Sequence, residues 1–268
     1  MTAPFSAPHF AISLYCSDFR NPAPQVEYLN TVADSYHVDI MDGHFVKNIT
    51  LSPFFVSNLK RISKLPIDVH LMTEYPDDYI EELAKSGADY ICPHAETINK
   101  DAFRIINKIK GFGCKAGIVL NPATPIEWIK YYIHLLDKIT VMTVDPGFAG
   151  QPFNYSVIEK LKELNICLRD LENPPLIEVD GNINKNTIPI LYENNASVYV
   201  LGTSALFNNT PGTYREKIED MKKLTVSRQV ATKIKQGQSL LEKQDFDSLP
   251  AAFSLPADSI LQSPDRSR

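Results

Sequence analysis

Four residues carry chemistry most plainly. His37 and Asp39 lie two apart in His37-Val38-Asp39-Ile40-Met41-Asp42-Gly43-His44-Phe45, His70 lies in Asp68-Val69-His70-Leu71-Met72, and Asp180 lies in Glu178-Val179-Asp180-Gly181. Two imidazoles and two carboxylates make a mixed nitrogen and oxygen donor set. It suits Zn²⁺ first, with Mn²⁺, Co²⁺, Fe²⁺ or Mg²⁺ as the other candidates. Each piece is weak alone, since a single histidine at a strand end is more often a hydrogen-bonded structural residue. A buried ion-pair network is the competing reading of the whole set.

The set makes sense only if strands aim it. Strand side chains alternate, so His37, Asp39 and Met41 share one side and Val38 and Ile40 the other, while His70 and Met72 share a face. Polar groups facing an interior are costly unless satisfied, and a metal ion satisfies both His37 and Asp39. Strand-like runs fall near Phe10–Leu14, Tyr36–Ile40, Ile67–Leu71, Tyr90–Cys92, Ala116–Leu120, Lys138–Met142, Leu176–Val179 and Val198–Leu201. Helix-like stretches between them include Pro53–Ile62, Pro76–Lys85, Lys100–Lys110, Tyr155–Leu171 and Lys185–Tyr192, with Gly87 and Gly111 placed as C-caps. Alternating strand and helix predicts a parallel sheet, and eight units predict closure into a (β/α)8 TIM barrel rather than an open doubly wound sheet. Catalytic groups in such a barrel sit at the C-terminal strand ends, where these residues fall.

Two loops on that rim suit an anion. Thr143-Val144-Asp145-Pro146-Gly147-Phe148-Ala149-Gly150-Gln151 follows the sixth strand, and Gly202-Thr203-Ser204-Ala205 follows the eighth. Glycines let backbone N–H groups close on a phosphate, and a short helix starting at Thr203 or Ser204 would add its N-terminal donors. Gly181 and Asn182 would complete the ring. No P-loop or dinucleotide fingerprint is present. His94 and Glu96 after the fourth strand are candidates to support the metal ligands, and His134 reads as packed or exposed.

The bulk numbers are those of an ordinary globular chain. The 268 residues hold 27 basic and 32 acidic side chains, a net charge of −5, so nucleic-acid binding is not expected. Cys16, Cys92, Cys114 and Cys167 form no C-x-x-C pair and read as buried reduced thiols. Met1–Phe10 lacks the pattern of a signal peptide, no membrane span is expected, and the predicted location is cytoplasmic. Residues 1–225 read as one barrel domain, and 226–268 as a poorly ordered C-terminal extension.

These motifs together resemble the ribulose-phosphate 3-epimerase family. The matches are Ser13-Leu14, His37-x-Asp39-x-Met41-Asp42-Gly43-x-Phe45, His70-Leu71-Met72, Asp145-Pro146-Gly147-Phe148-Ala149-Gly150-Gln151 and Glu178-Val179-Asp180-Gly181. Asp145, Ala149, the segment Asn48-Ile49-Thr50-Leu51-Ser52-Pro53-Phe54-Phe55 and Tyr131-Tyr132-Ile133-His134 look like the branch acting on D-allulose 6-phosphate. Ile12 departs from the family, which usually has proline there. The resemblance implies metal-dependent epimerisation at C3 through an enediolate, converting D-allulose 6-phosphate to D-fructose 6-phosphate, with D-ribulose 5-phosphate as the alternative substrate. It implies proton transfer by Asp39 and Asp180, and metal binding by His37, Asp39, His70 and Asp180. Met41, Met72 and Met142 would cap the enediolate. Ser13, His70, Asp180, Gly147, Phe148, Ala149, Gly150, Gly181, Asn182, Gly202, Thr203 and Ser204 would bind substrate. A homo-oligomer is expected by the same analogy. A non-catalytic phosphosugar-binding barrel is the alternative of another class. Aldol cleavage or decarboxylation would call for a barrel lysine, and none stands out as inward-facing.

Overall fold

The computed structural model describes residues 7–225, so the expected extension over 226–268 lies outside the described residues. Eight parallel strands close in sequence order into a barrel: β1 (His9–Ser13), β2 (Ser35–Met41), β3 (Ile67–Met72), β4 (Tyr90–Pro93), β5 (Lys115–Leu120), β6 (Lys138–Met142), β7 (Leu176–Asp180) and β8 (Val198–Leu201). Helices α1 (Pro22–Leu29), α2 (Pro53–Ile62), α3 (Asp77–Ser86), α4 (Ala95–Ile98), α5 (Ala102–Gly111), α6 (Val157–Leu168), α7 (Ile188–Glu193) and α8 (Tyr214–Leu224) surround it. After β5, two 3₁₀ turns at Ile126–Ile129 and Ile133–Leu135 take the place of a full helix. No helix among the described residues is long and apolar enough to cross a membrane.

The helices carry their own reasons. In α5, Ala102, Ile105, Ile106 and Ile109 are buried, the spacing of one helical face. In α3, Asp77 and Asp78 open the first turn and Lys85 lies in the last, both favourable to the helix dipole. Gly87 caps α3 at φ +95°, and a Cβ there would come within 2.6 Å of Lys60 Cγ. Gly111 does not play the matching part. It is the last residue of α5, Phe112 is the cap, and Gly113 takes the left-handed turn at φ +82°. A capping box of Thr213 and Glu216 starts α8.

Two kinds of core result from strand alternation. Phe10, Ile12, Tyr36, Val38, Ile40, Val69, Leu71 and their partners point outward under the helices as one large apolar cluster. The inward side is smaller and partly polar. Ala11, Val198 and Val200 pack together in one part of it, and Cys92, Val119, Met142 and Val144 in another. Between these lie Asp68, Lys138, Thr140 and Glu178, all buried. Lys138 therefore corrects the expectation that no lysine faces inward: its side chain is only 3% exposed and lies between Asp68 and Glu178.

Candidate metal and substrate site

Ladder register brings the predicted ligands together. Asp39 and His70 are Cα partners across β2 and β3, Met142 and Asp180 across β6 and β7, and Ser13 and His37 across β1 and β2. Around the ring β1 and β8 stand between β2 and β7. His37 Nε2 lies 3.4 Å from Asp39 Oδ1 and 3.6 Å from Asp180 Oδ2. His70 Nδ1 lies 3.2 Å and 3.6 Å from the same two oxygens. Among the described residues, His37, Asp39, His70 and Asp180 form a group able to hold a metal ion, one atom from each lying within 4.8 Å of all the others.

The spacing fits an ion. Four ligands at roughly 2.0–2.2 Å from a tetrahedral centre stand about 3.3–3.6 Å from one another. The four nitrogen-to-oxygen separations, from 3.2 to 3.6 Å, lie close to those edges. His37 Nε2 is buried and makes no hydrogen bond, which is the state of a nitrogen whose partner is a cation. His37, Asp39, Asp68, Glu178 and Lys138 are also a charged network, so both readings of the sequence are present in layers. His37, Asp68 and Glu178 form a second cluster of metal-ligating type. There the Lys138 ammonium already supplies the positive charge, pairing closely with Asp68 and at 2.9 Å with Glu178.

Electrostatics follow from this crowding. Burial opposes charge on Asp39, yet His37 and His70 outweigh it and hold its carboxyl well below the usual carboxylate range. Asp180 is lowered against burial by the same two histidines. Burial also opposes charge on His37, but Asp39, Asp180 and Asp68 raise its pKa well above the usual value, and Asp180 and Asp39 raise that of His70. Burial pushes Lys138 down, and Asp68, Cys92 and Glu178 more than reverse it. An ammonium held in this way is no free amine for Schiff-base chemistry.

The supporting contacts include both residues suspected after β4. His70 Nε2 lies 2.8 Å from His94 Nε2, and His94 Nδ1 lies 3.3 Å from Glu96 Oε2. Ser13 Oγ donates to Asp39 Oδ2 at 2.9 Å, so Ile12 does not turn this hydroxyl away. His134 is exposed.

One cavity opens above the ligands. Asp39, His70 and Asp180 line it together with Ser13, Met41, Met72, Met142, Gly147, Phe148, Ala149, Gly150, Gly181, Asn182, Gly202, Thr203 and Ser204. His37 lies beneath and does not line it. Gly147 and Gly181 have φ of +109° and +114°, and a Cβ on Gly181 would come within 2.5 Å of Val144. Thr143 stitches this rim, its N–H donating to Asp180 O at 2.7 Å and its hydroxyl to Gly181 O. No helix begins at Thr203 or Ser204. The chain there makes a tight turn, with Leu206 N–H donating to Gly202 O at 2.9 Å, because the next helix waits for the Thr213 cap. Tyr15 and Cys16 also line the cavity and were not foreseen, although their place just beyond the end of β1 was a signal. Asn48 Nδ2 donates to Gly147 O at 2.8 Å and to Tyr15 Oη at 3.0 Å, tying the β2 loop to the β6 loop.

Comparison with known proteins agrees with this geometry. The family model described as ribulose-phosphate 3 epimerase family matches residues 9–207. A ribulose-phosphate 3-epimerase of Bacillus subtilis is 46% identical over 173 residues, covering 64% of this chain and 79% of that protein. A ribulose-phosphate 3-epimerase of Synechocystis is 38% identical over 200 residues, covering 74% and 86%. Among solved structures, a mutant tryptophan synthase α-subunit from Pyrococcus furiosus superposes with a TM-score of 0.58 at 16% identity, covering 84% of this chain and 98% of that one. At that identity the likeness speaks for the fold alone.

Proposed function

The chain belongs to the ribulose-phosphate 3-epimerase family and is an isomerase that epimerises a sugar phosphate at C3; from that premise we propose that its substrate is D-allulose 6-phosphate, converted to D-fructose 6-phosphate. The observation that carries the chemistry is the four-sided set of His37, Asp39, His70 and Asp180 at the floor of the cavity.

Epimerisation beside a ketone needs a base on one face of C3 and an acid on the other. Asp39 and Asp180 reach the cavity floor from β2 and β7 and flank a substrate lying across it. In one direction ionised Asp39 takes the C3 proton, and Asp180, entering the step protonated, gives its own proton to the opposite face and ends ionised. In the reverse direction they exchange roles. His37 and His70 would hold a divalent cation with them, Zn²⁺ by preference of the donor set. When bound, that cation supplies Lewis-acid stabilisation of the negative charge that develops on the substrate oxygens. Met41, Met72 and Met142 roof the reacting carbons with apolar, polarizable sulfur and keep water out. Ser13 orients a substrate hydroxyl. The rim from Gly147 to Gly150, with Gly181, Asn182, Gly202, Thr203 and Ser204, receives the phosphate through backbone donors.

Asp145, Ala149 and the Asn48–Phe55 segment support the hexulose phosphate as substrate. The bond from Asn48 to Gly147 ties that segment to the loop that holds Asp145 and Ala149. The relatives, which are ribulose-phosphate 3-epimerases, favour a second reading, D-ribulose 5-phosphate. Measuring kcat/KM for the two ketose phosphates decides between them. A higher value for D-allulose 6-phosphate is expected, and a higher value for the pentulose overturns the substrate assignment. A barrel that only senses phosphosugars would bind either compound with no turnover, with or without metal.

A further inference from the structure

We infer that Glu96 is a positioning residue that decides, through His94, which ring nitrogen of His70 is free to bind metal. The inference rests on the metal reading above and adds to it a residue outside the cavity.

The chain of contacts is short and closed. His70 and His94 meet Nε2 to Nε2 at 2.8 Å, with ring centroids 5.0 Å apart. One of these nitrogens must donate and the other accept. Nothing in the pair itself says which. Glu96 breaks the symmetry. Its Oε1 accepts from the backbone N–H of Asn121 at 3.0 Å and from the Thr124 hydroxyl, so that oxygen is fixed as an acceptor. Its Oε2 faces His94 Nδ1 at 3.3 Å. An ionised carboxylate only accepts, so His94 Nδ1 carries the proton and His94 Nε2 presents a lone pair. His70 Nε2 must then be the donor. The lone pair of His70 falls on Nδ1, the atom that faces Asp39 Oδ1 and Asp180 Oδ2 at 3.2 Å and 3.6 Å. Both histidines are fully buried and the Phe45 ring packs on His94 with centroids 4.5 Å apart. Two side chains, His94 and His70, thus stand between Glu96 and the metal position, and Glu96 does not line the cavity.

The test exploits the opposite behaviour of an amide. In Glu96→Gln the amide oxygen keeps the Asn121 N–H, which turns the NH₂ group toward His94 Nδ1. An NH₂ only donates, so every hydrogen bond in the chain reverses and the His70 proton moves to Nδ1, where it must leave before an ion can bind. Glu96→Ala imposes neither order. Co²⁺ titration of the full-length protein at neutral pH reads the difference. We expect Glu96→Gln to bind Co²⁺ about 10- to 100-fold more weakly than wild type, with Glu96→Ala between them. A merely structural role predicts the reverse order, because glutamine fills the space of glutamate and alanine does not. Wild-type affinity in Glu96→Gln, or weaker binding by Glu96→Ala than by Glu96→Gln, overturns the inference.

A second measurement needs no variant. In the Zn²⁺-loaded wild type, ¹⁵N spectra of the histidines place the His94 proton on Nδ1 if the relay holds, and a proton on His94 Nε2 overturns it. A wild-type protein that takes up neither Co²⁺ nor Zn²⁺ would sink the metal reading itself. The position of the His94 proton in that protein would still decide the relay.

Discussion

His37 Nδ1 lies 2.8 Å from Asp68 Oδ2, and the two residues are Cα partners across β2 and β3. The carboxylate accepts a hydrogen bond from Nδ1–H and leaves Nε2, which has no hydrogen bond, as the nitrogen facing the proposed metal position. Replacing Asp68 by asparagine keeps an acceptor but removes the charge that makes the imidazole a better ligand. Metal affinity of Asp68→Asn should fall by about 10-fold, at the lower end of what such supporting residues contribute. Co²⁺ titration checks it, and unchanged affinity would show that Asp68 serves only the lysine beside it.

The proposed mechanism gives the two carboxylates of the cavity separable jobs. Asp39→Asn and Asp180→Asn should each lower kcat/KM about 10²- to 10⁴-fold at saturating metal, the usual worth of a positioned acid or base. Each variant should still exchange the C3 proton with D₂O from the one epimer that its remaining aspartate can reach. Proton NMR of substrate incubated in D₂O reads this directly. Near-normal epimerisation by either variant would contradict the two-aspartate mechanism.

Much of this arrangement was legible before any coordinates. The strands were placed to within a residue or two because β-branched runs and glycine punctuation agree, and period-two alternation put His37, Asp39, His70 and Asp180 on inward faces. The same alternation, carried two residues back, would have found Asp68 and Glu178 beneath His70 and Asp180, and Lys138 beneath Thr140 and Met142. A lysine at the first position of a strand normally turns to solvent, and only closure of the barrel shows that two carboxylates await this one. The Gly111 cap and the helix at Thr203 failed for another reason. Each depended on where a helix ends or starts, which neighbouring φ values decide and residue type alone does not.

The buried lysine makes a stability prediction. Lys138→Met leaves Asp68 and Glu178 buried without their shared ammonium, and should cost about 3–5 kcal/mol in denaturant unfolding. The acid limb should change as well. Burial opposes charge on Asp68, but Lys138 and His37 hold its carboxyl below its ordinary value of 3.8. A carboxyl lowered on folding contributes stability above its unfolded value and loses it as pH falls through the folded one. Stability of the wild type should therefore decline below about pH 4, and Lys138→Met, having lost part of that shift, should decline less steeply. Urea midpoints measured across that range test both statements.

Asn48 gives the prediction that bears most directly on substrate choice. Its side-chain amide joins Gly147 O and Tyr15 Oη, so one residue links the β2 loop, the phosphate rim and the segment after β1. Gly147 also packs against Val46, where an added Cβ would stand 3.0 Å from Val46 Cβ. The rim is therefore held from the β2 side. In Asn48→Ala the Gly147 carbonyl loses a donor worth about 1 kcal/mol, which converts to roughly a fivefold change in an equilibrium constant. Because the amide touches the rim and not the ligand set, this loss should appear mainly in KM. The kcat at saturating D-allulose 6-phosphate should stay within about twofold, since the interaction acts on ground state and transition state alike. Steady-state kinetics with the hexulose and the pentulose phosphate separate the cases. A larger KM rise for the hexulose would tie Asn48 to recognition of the longer substrate. An equal rise for both would mean that it only holds the phosphate rim. A fall in kcat with KM unchanged would contradict the assignment of this loop to binding.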